Sequence, residues 1–194
     1  MLNLTGVMTT LISFIQSQVN IPEAELQTIC AHFYTLTIPK DRLLIKRGQL
    51  VNAYYFIVSG GLRIYLDKDG TEITAWLAFQ HDFFTELRSV KTGMPTVFNI
   101  QAIEECELLC ISKQDMELLY QRFPAWQQFG RKVWEDAFLK VVNGILAYQT
   151  MTAQERYLAM MQQSDLLQKV PLKQLASYLG VTQTSLSRLR KKLK

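Results

Sequence analysis

Near the end of the chain, Thr182, Gln183, Thr184, Ser185, Ser187, Arg188, Lys191 and Lys192 crowd one stretch, PLKQLASYLGVTQTSLSRLRKKLK. At about 100° per residue, Thr184, Ser187, Arg188 and Lys191 lie opposite Leu186, Leu189 and Leu193, with Gln183 near the helix start. Such side chains suit phosphate oxygens and base edges, since Arg pairs bidentately with guanine and Gln with adenine. Lys173, one helix earlier, adds a further cation. The chemistry on offer is recognition rather than bond making.

Two short helices must position these groups. Leu172, Leu175, Ala176 and Leu179 recur at helical spacing, Gly180 interrupts them, and the second leucine stripe then begins. Thr182 is a suitable N-cap, and Val181 can pack on Leu186 as a hydrophobic staple. Both stripes must bury against each other, so the helices cross, and the reading is a helix-turn-helix with residues 182–193 as recognition helix. A small helical hairpin with a solvated basic face is the alternative on pattern alone. Charge favours the first. After Asp165 the chain carries seven Lys or Arg and no acid, whereas the preceding part holds 14 bases against 17 acids, within a net charge of +4. A basic end on a near-neutral body is the footprint of a nucleic-acid binder, and the helix-turn-helix reading makes double-stranded DNA the expected partner.

The remaining chain, in a sequence of 194 residues with 48% hydrophobic content, is long enough for one mid-sized domain besides this small one. No apolar run reaches membrane-spanning length. The first positive charge is Lys40, so no signal peptide is expected, and Cys30, Cys106 and Cys110 without a CxxC pair fit buried thiols of a reducing cytoplasm. Residues 11–32 read as one or two short helices with Pro22 near a helix start. Short β segments follow at 34–38, 42–46, 54–58, 62–66, 72–79, 97–103 and 107–111, divided by turn signals such as Asp69-Gly70. Seven or eight strands without long interleaved helices imply a sandwich or jelly-roll barrel. Ser112 then caps a helix to about Gln121, and Pro124 opens a longer one to about Gln149. On the long helix Trp134, Phe138, Val141, Ile145 and Tyr148 form a coiled-coil seam, while Trp126, Phe129, Val133 and Ala137 form a second stripe. Two stripes suggest two partners, the barrel and a second copy of the helix; burial within one chain is the other possibility. Thr152 or a neighbour caps a helix at 153–163, and a connector, SDLLQKV, leads to the terminal pair.

This α+β order of N-terminal β jelly-roll barrel, dimer-type helix and terminal helix-turn-helix resembles the Crp/Fnr family of bacterial transcription regulators over essentially the whole chain. The motifs are Tyr55-Phe56-Ile57-Val58-Ser59-Gly60-Gly61-Leu62-Arg63-Ile64-Tyr65, similar to the family's barrel core, and His81-Asp82-Phe83-Phe84-Thr85-Glu86-Leu87, similar to its "GDFxGE" cassette. Residues 175–182 through Arg188 are similar to the form found in Bacteroidetes-type members. The resemblance implies a cyclic-nucleotide-binding-like sensor at 1–122, a dimerisation helix at 123–150 and a DNA-binding domain at 151–194. It implies a cytoplasmic homodimer reading a pseudo-palindromic site, with Gln183, Thr184 and Arg188 at base-reading positions and RNA polymerase as a possible further partner. The chain ends close to the recognition helix, so the expectation is a helix-turn-helix without the family's terminal β-wing, its phosphate contacts coming from the basic tail.

Departures from the family concern the ligand. The resemblance places Thr85, Glu86, Leu87, Arg88, Thr96 and Val97 around the ligand position. Glu86 matches the ribose-binding Glu, but Thr85 replaces a glycine and Thr96 stands where an Arg would hold the cyclic phosphate. Val141 and Val142 replace the hydroxyls that meet the adenine. A buried phosphate without a cation is costly to desolvate, which argues against cyclic AMP or GMP bound in the usual manner. Arg88 and Lys91 are either holders of a different anion or surface charges, and Glu86 is either a relic or a structural acceptor. An iron–sulfur sensor needs an N-terminal cysteine cluster, and only Cys30 lies there. A haem sensor needs an axial ligand; His32 and His81 are the only histidines, and a lone His is usually structural or exposed. The expectation is therefore no cofactor, with an unidentified small-molecule effector or none. Two alternatives stay open: a cyclic-nucleotide-responsive regulator with an altered phosphate site, and a cupin-type jelly-roll enzyme. The second needs clustered His and carboxylate ligands, which two distant histidines do not supply, and the expectation is that the protein is not an enzyme.

Overall fold

The computed structural model describes residues 4–163 and 169–192. Two helices lead, α1 (Leu4–Gln18) and α2 (Glu23–Cys30). Eight strands follow: β1 (Tyr34–Ile38), β2 (Leu43–Ile45), β3 (Ala53–Ser59), β4 (Gly61–Lys68), β5 (Thr71–Phe79), β6 (Phe83–Phe84), β7 (Asn99–Ala102) and β8 (Cys106–Ser112). A short α3 (Leu87–Thr92) sits between β6 and β7. The chain continues through α4 (Lys113–Arg122), α5 (Pro124–Thr150), α6 (Ala153–Gln163), α7 (Leu172–Leu179) and α8 (Gln183–Lys192).

The strands pair into two antiparallel four-stranded sheets, β1-β8-β3-β6 and β2-β7-β4-β5, the arrangement of a jelly roll. The hairpin expected after Leu66 is formed. Lys68 faces Thr71, and Asp69 (φ 54°) with Gly70 (φ 78°) supplies the two left-handed positions that a tight two-residue turn needs. Every expected strand exists. Not foreseen were β6 and α3, two and six residues long, too short for a periodic signal. The first helix begins at Leu4, ahead of the expected Leu11, because Val7, Leu11 and Ile15 form one buried stripe.

Aromatic side chains fill the core. Phe14 of α1 lies 5.2 Å from Phe56 of β3, and Trp126 stacks 4.6 Å from Phe129. The stripe Trp126, Phe129 and Val133 is thus the barrel-facing side of α5. Ser112 caps α4 by accepting the Asp115 N–H, and Pro124 opens α5. Thr152 and Glu155 form a reciprocal capping box at α6: the Thr152 N–H donates to Glu155 Oε2 at 2.7 Å, and the Glu155 N–H to Thr152 Oγ1 at 3.3 Å.

A second, smaller core joins the terminal helices to the barrel. Leu77 and Ile103 of the barrel bury together with Tyr157, Val170, Leu175, Ala176, Leu179 and Leu186. The contact is specified by hydrogen bonds along β5, an edge strand of its sheet. Ser177 Oγ accepts the Thr74 N–H at 2.9 Å and donates to the Glu72 carbonyl at 3.0 Å, taking the place of a neighbouring strand. Thr74 Oγ1 donates to the Gln174 carbonyl and accepts from Arg63 Nε. Arg63 is fully buried, bonded to Glu72 at 2.7 Å and stacked 4.3 Å from the Tyr65 ring. This cluster was not legible beforehand, because its members are about 100 positions apart in sequence.

Candidate nucleic-acid interface and ligand cavity

The α7–α8 pair is built as its leucines require. Gly180 (φ 70°) ends α7 in the left-handed conformation, and the Val181 N–H returns to the Ala176 carbonyl, a Schellman-type close. Thr182 Oγ1 caps α8 by accepting the Ser185 N–H at 3.1 Å, and Val181 joins the cluster that holds Leu186. Leu186 is fully buried and Leu189 half-buried, while Leu193 lies outside the described residues, as do Lys194 and positions 164–168 of the connector.

Burial sorts the expected recognition residues. Thr182, Gln183, Thr184, Ser185, Arg188, Lys191 and Lys192 are exposed on α8 and its entry, Ser187 is half-buried, and Lys173 is exposed on α7. The Thr182 and Ser185 hydroxyls bond each other at 2.9 Å. Sequence alone could not divide the basic residues by role. Arg190 turns inward, with Nε 3.1 Å from the Tyr157 hydroxyl, and Lys169 pairs with Glu104 at 2.9 Å. Lys173, Arg188, Lys191 and Lys192 remain as exposed cations with no ion-pair partner among the described residues. Arg156 ties α7 to the end of α5, donating to the Met151 and Leu179 carbonyls and stacking 4.4 Å from the Tyr148 ring.

The seam residues divide as well. Phe138 (68% exposed), Val141, Ile145 and Tyr148 face solvent, joined by Leu139 and Leu146, so the apolar face of α5 is broader than the expected seam. Trp134 instead turns to its own barrel, its ring edge-on to Tyr54 at 6.4 Å.

Between the barrel and α5 lies a cavity of about 540 Å³. Its wall includes Thr85, Glu86 and Leu87 of the cassette; Arg88, Thr96 and Val97 are not among its lining residues. Glu86 is buried and caps α3, its Oε2 accepting the Ser89 N–H at 3.0 Å. Thr85 donates its hydroxyl to the Ala53 carbonyl at 2.7 Å. Thr96 is buried in its own loop, exchanging backbone bonds with Gly48 and Gln49 and accepting the Phe98 N–H. Arg88 and Lys91 are exposed. The cavity's cation is Lys140, whose ammonium is 2.7 Å from Asp82. Asp82 also accepts the Phe79 N–H, so it braces the cassette against α5.

Other chemistry has little support. Cys30, Cys106 and Cys110 are free and buried, and burial pushes their thiols up to about 11, 11 and 12. Among the described residues no three His, Cys, Asp or Glu converge as metal ligands do, and no helix is long and apolar enough to cross a membrane. His81 has φ 71° and stacks on Phe56; His32 bonds Asp115 at 2.9 Å.

Residues 35–123 match the model of the cyclic nucleotide-binding domain. A comparison with curated sequences gives no match. Among solved structures, FixK2 from Bradyrhizobium japonicum superposes with a TM-score of 0.69 at 19% identity, covering 83% of this chain and 84% of its own. The c-di-GMP responsive global regulator CLP of Xanthomonas campestris gives 0.68 at 16%, covering 89% and 91%. A protein from Eubacterium rectale assigned to the crp/fnr family of transcriptional regulators gives 0.66 at 16%, covering 89% and 83%. The barrel, the long helix and the terminal helices therefore follow the fold of the Crp/Fnr regulators, a cyclic nucleotide-binding β-roll followed by helices.

Proposed function

We propose that the protein is a homodimeric DNA-binding transcription regulator of the Crp/Fnr type. Residues 1–122 are its sensor, 123–150 its dimerisation helix, and 151–194 a helix-turn-helix head that reads a pseudo-palindromic site with α8. The observation that carries this reading is the division of α8. Leu186 is buried in the small core, whereas Arg188, Lys191 and Lys192 stand exposed beside Gln183 and Thr184. The broad apolar face of α5 supports pairing with a second copy, because a patch of Phe138, Leu139, Val141, Ile145 and Leu146 is unusual for a monomer. The structural neighbours support a regulator rather than an enzyme.

Selection of bound duplexes from a random pool tests the reading, together with sedimentation of the full chain. The expected result is a dimer that retains paired half-sites about one helical turn apart, roughly 34 Å. Val141→Asp, a charge placed in the seam, yields monomers that lose tight site binding. A wild-type protein that sediments as a monomer and retains no duplex at low salt would refute the proposal.

The match of residues 35–123 and the position of Glu86 on the cavity wall favour a second reading, a regulator that responds to cyclic nucleotides through an altered phosphate site. Micromolar binding of cyclic AMP or cyclic GMP in calorimetric titration would establish it.

A further inference from the structure

The cavity between barrel and α5 has a wall whose chemistry selects its occupant. Aromatic rings dominate it: Trp76, Phe84, Phe98 and Trp134 line a space of about 540 Å³, within the usual range for small-molecule sites. Charge on the wall is of the wrong sign for a phosphate. Asp82, Glu86 and Asp136 supply three carboxylates against the single Lys140, and Lys140 is already paired with Asp82 at 2.7 Å. An anion entering here would shed water, meet no free cation, and lie near two further carboxylates. The wall also holds a hydrogen-bond acceptor. Glu86 is only 8% exposed, its Oε2 takes the Ser89 N–H, and among the described residues its Oε1 takes no hydrogen bond. A carboxylate on the wall accepts hydrogen bonds only, so a ligand N–H or O–H suits it and a ligand anion does not.

From these features we infer that the cavity binds a non-anionic aromatic molecule of about two or three rings bearing one N–H or O–H donor. The rings lie among Trp76, Phe84, Phe98 and Trp134, and the donor meets Glu86 Oε1. The inference deepens the sensor role proposed above and rests on it for its regulatory meaning, but the binding chemistry is independent of DNA.

Two fluorescent probes that share one ring system and differ in charge test it. N-phenyl-1-naphthylamine is neutral and carries an N–H; 8-anilinonaphthalene-1-sulfonate adds a sulfonate. Titrated into the full-length protein, the neutral probe binds at least tenfold more tightly and accepts energy from tryptophan. Trp134→Phe lowers that transfer, which ties the probe to the cavity wall. Ala137→Trp, which fills the cavity from α5, weakens the neutral probe tenfold or more while the circular dichroism is retained. Glu86→Gln keeps an acceptor but removes the charge, so it narrows the gap between the probes several-fold. Equal or tighter binding of the sulfonate overturns the inference. So does neutral-probe binding that survives Ala137→Trp with unchanged energy transfer, since the probe would then sit on the exposed face of α5. Duplex binding is measured on the same samples. Loss of the probe result with DNA binding intact refutes the ligand class alone, and loss of DNA binding refutes the regulator.

Discussion

Replacing Ser177 by alanine deletes one hydroxyl and tests how the terminal helices are held. In the native chain that oxygen accepts the Thr74 N–H at 2.9 Å and donates to the Glu72 carbonyl at 3.0 Å. Thr74 is 5% exposed and lies on an edge strand, so no further strand of the sheet can take over its outward N–H. An unpartnered buried backbone donor costs about 1–3 kcal/mol, and the carbonyl, with two lone pairs and a neighbour more open to water, adds little. At about 1.4 kcal/mol per tenfold, the contact between α7 and β5 opens roughly 5- to 150-fold more often. Amide hydrogen exchange resolved at Thr74 reads this directly, because the N–H is protected only while Ser177 is in place. The expected result is a rise of that size at Thr74, a smaller rise across α7, and no change in β3 or β8. Ser185→Ala, on the exposed entry of α8, serves as control and leaves Thr74 unaffected. If Thr74 exchanges within twofold of wild type in Ser177→Ala, the docking of the terminal helices does not depend on this bridge, and the reasoning fails.

Other expectations follow from single contacts. Helix propensity alone would favour Gly130→Ala by about 1 kcal/mol, but the new methyl would meet the Tyr120 ring between α4 and α5. Net destabilisation of about 1–3 kcal/mol in urea unfolding is expected, and a gain in stability would refute the packing. The Asp115 carboxyl is held below its ordinary value by the Ser112 hydroxyl and then by His32. A lowered folded value means that the stabilisation is present above the unfolded value, about 3.9, and lost as pH falls through the folded one. Asp115→Asn should therefore flatten the fall in stability on acidification below about pH 4, measured by denaturant unfolding across that range. For DNA, Arg188→Ala should cost about 1–3 kcal/mol at the preferred site and relax discrimination at one base pair. Lys192→Ala should weaken all duplexes alike and reduce the salt slope by about one; equal behaviour of the two variants in anisotropy titrations would contradict their assigned roles.

Local pattern determined much of this protein. The Asp69-Gly70 hairpin, the caps at Ser112 and Thr152, the start of α5 at Pro124 and the turn at Gly180 each depend on a few neighbouring residues, and each is where the sequence places it. The barrel-facing stripe of α5 was equally legible, because burying Trp126, Phe129 and Val133 needs only helical spacing and an apolar surface to receive them. Tertiary structure alone decided which charges are spoken for. Arg190 and Lys169 read as part of the basic end yet are bound to Tyr157 and Glu104, and Arg63, an ordinary strand residue by pattern, is buried under Glu72, Thr74 and Tyr65. It also turned Trp134 toward Tyr54, set Thr96 outside the cavity and joined Ser177 to β5. Periodicity reports a helix's own face, whereas the partner that covers that face, or neutralises a charge on it, is brought there by chain segments far away in sequence.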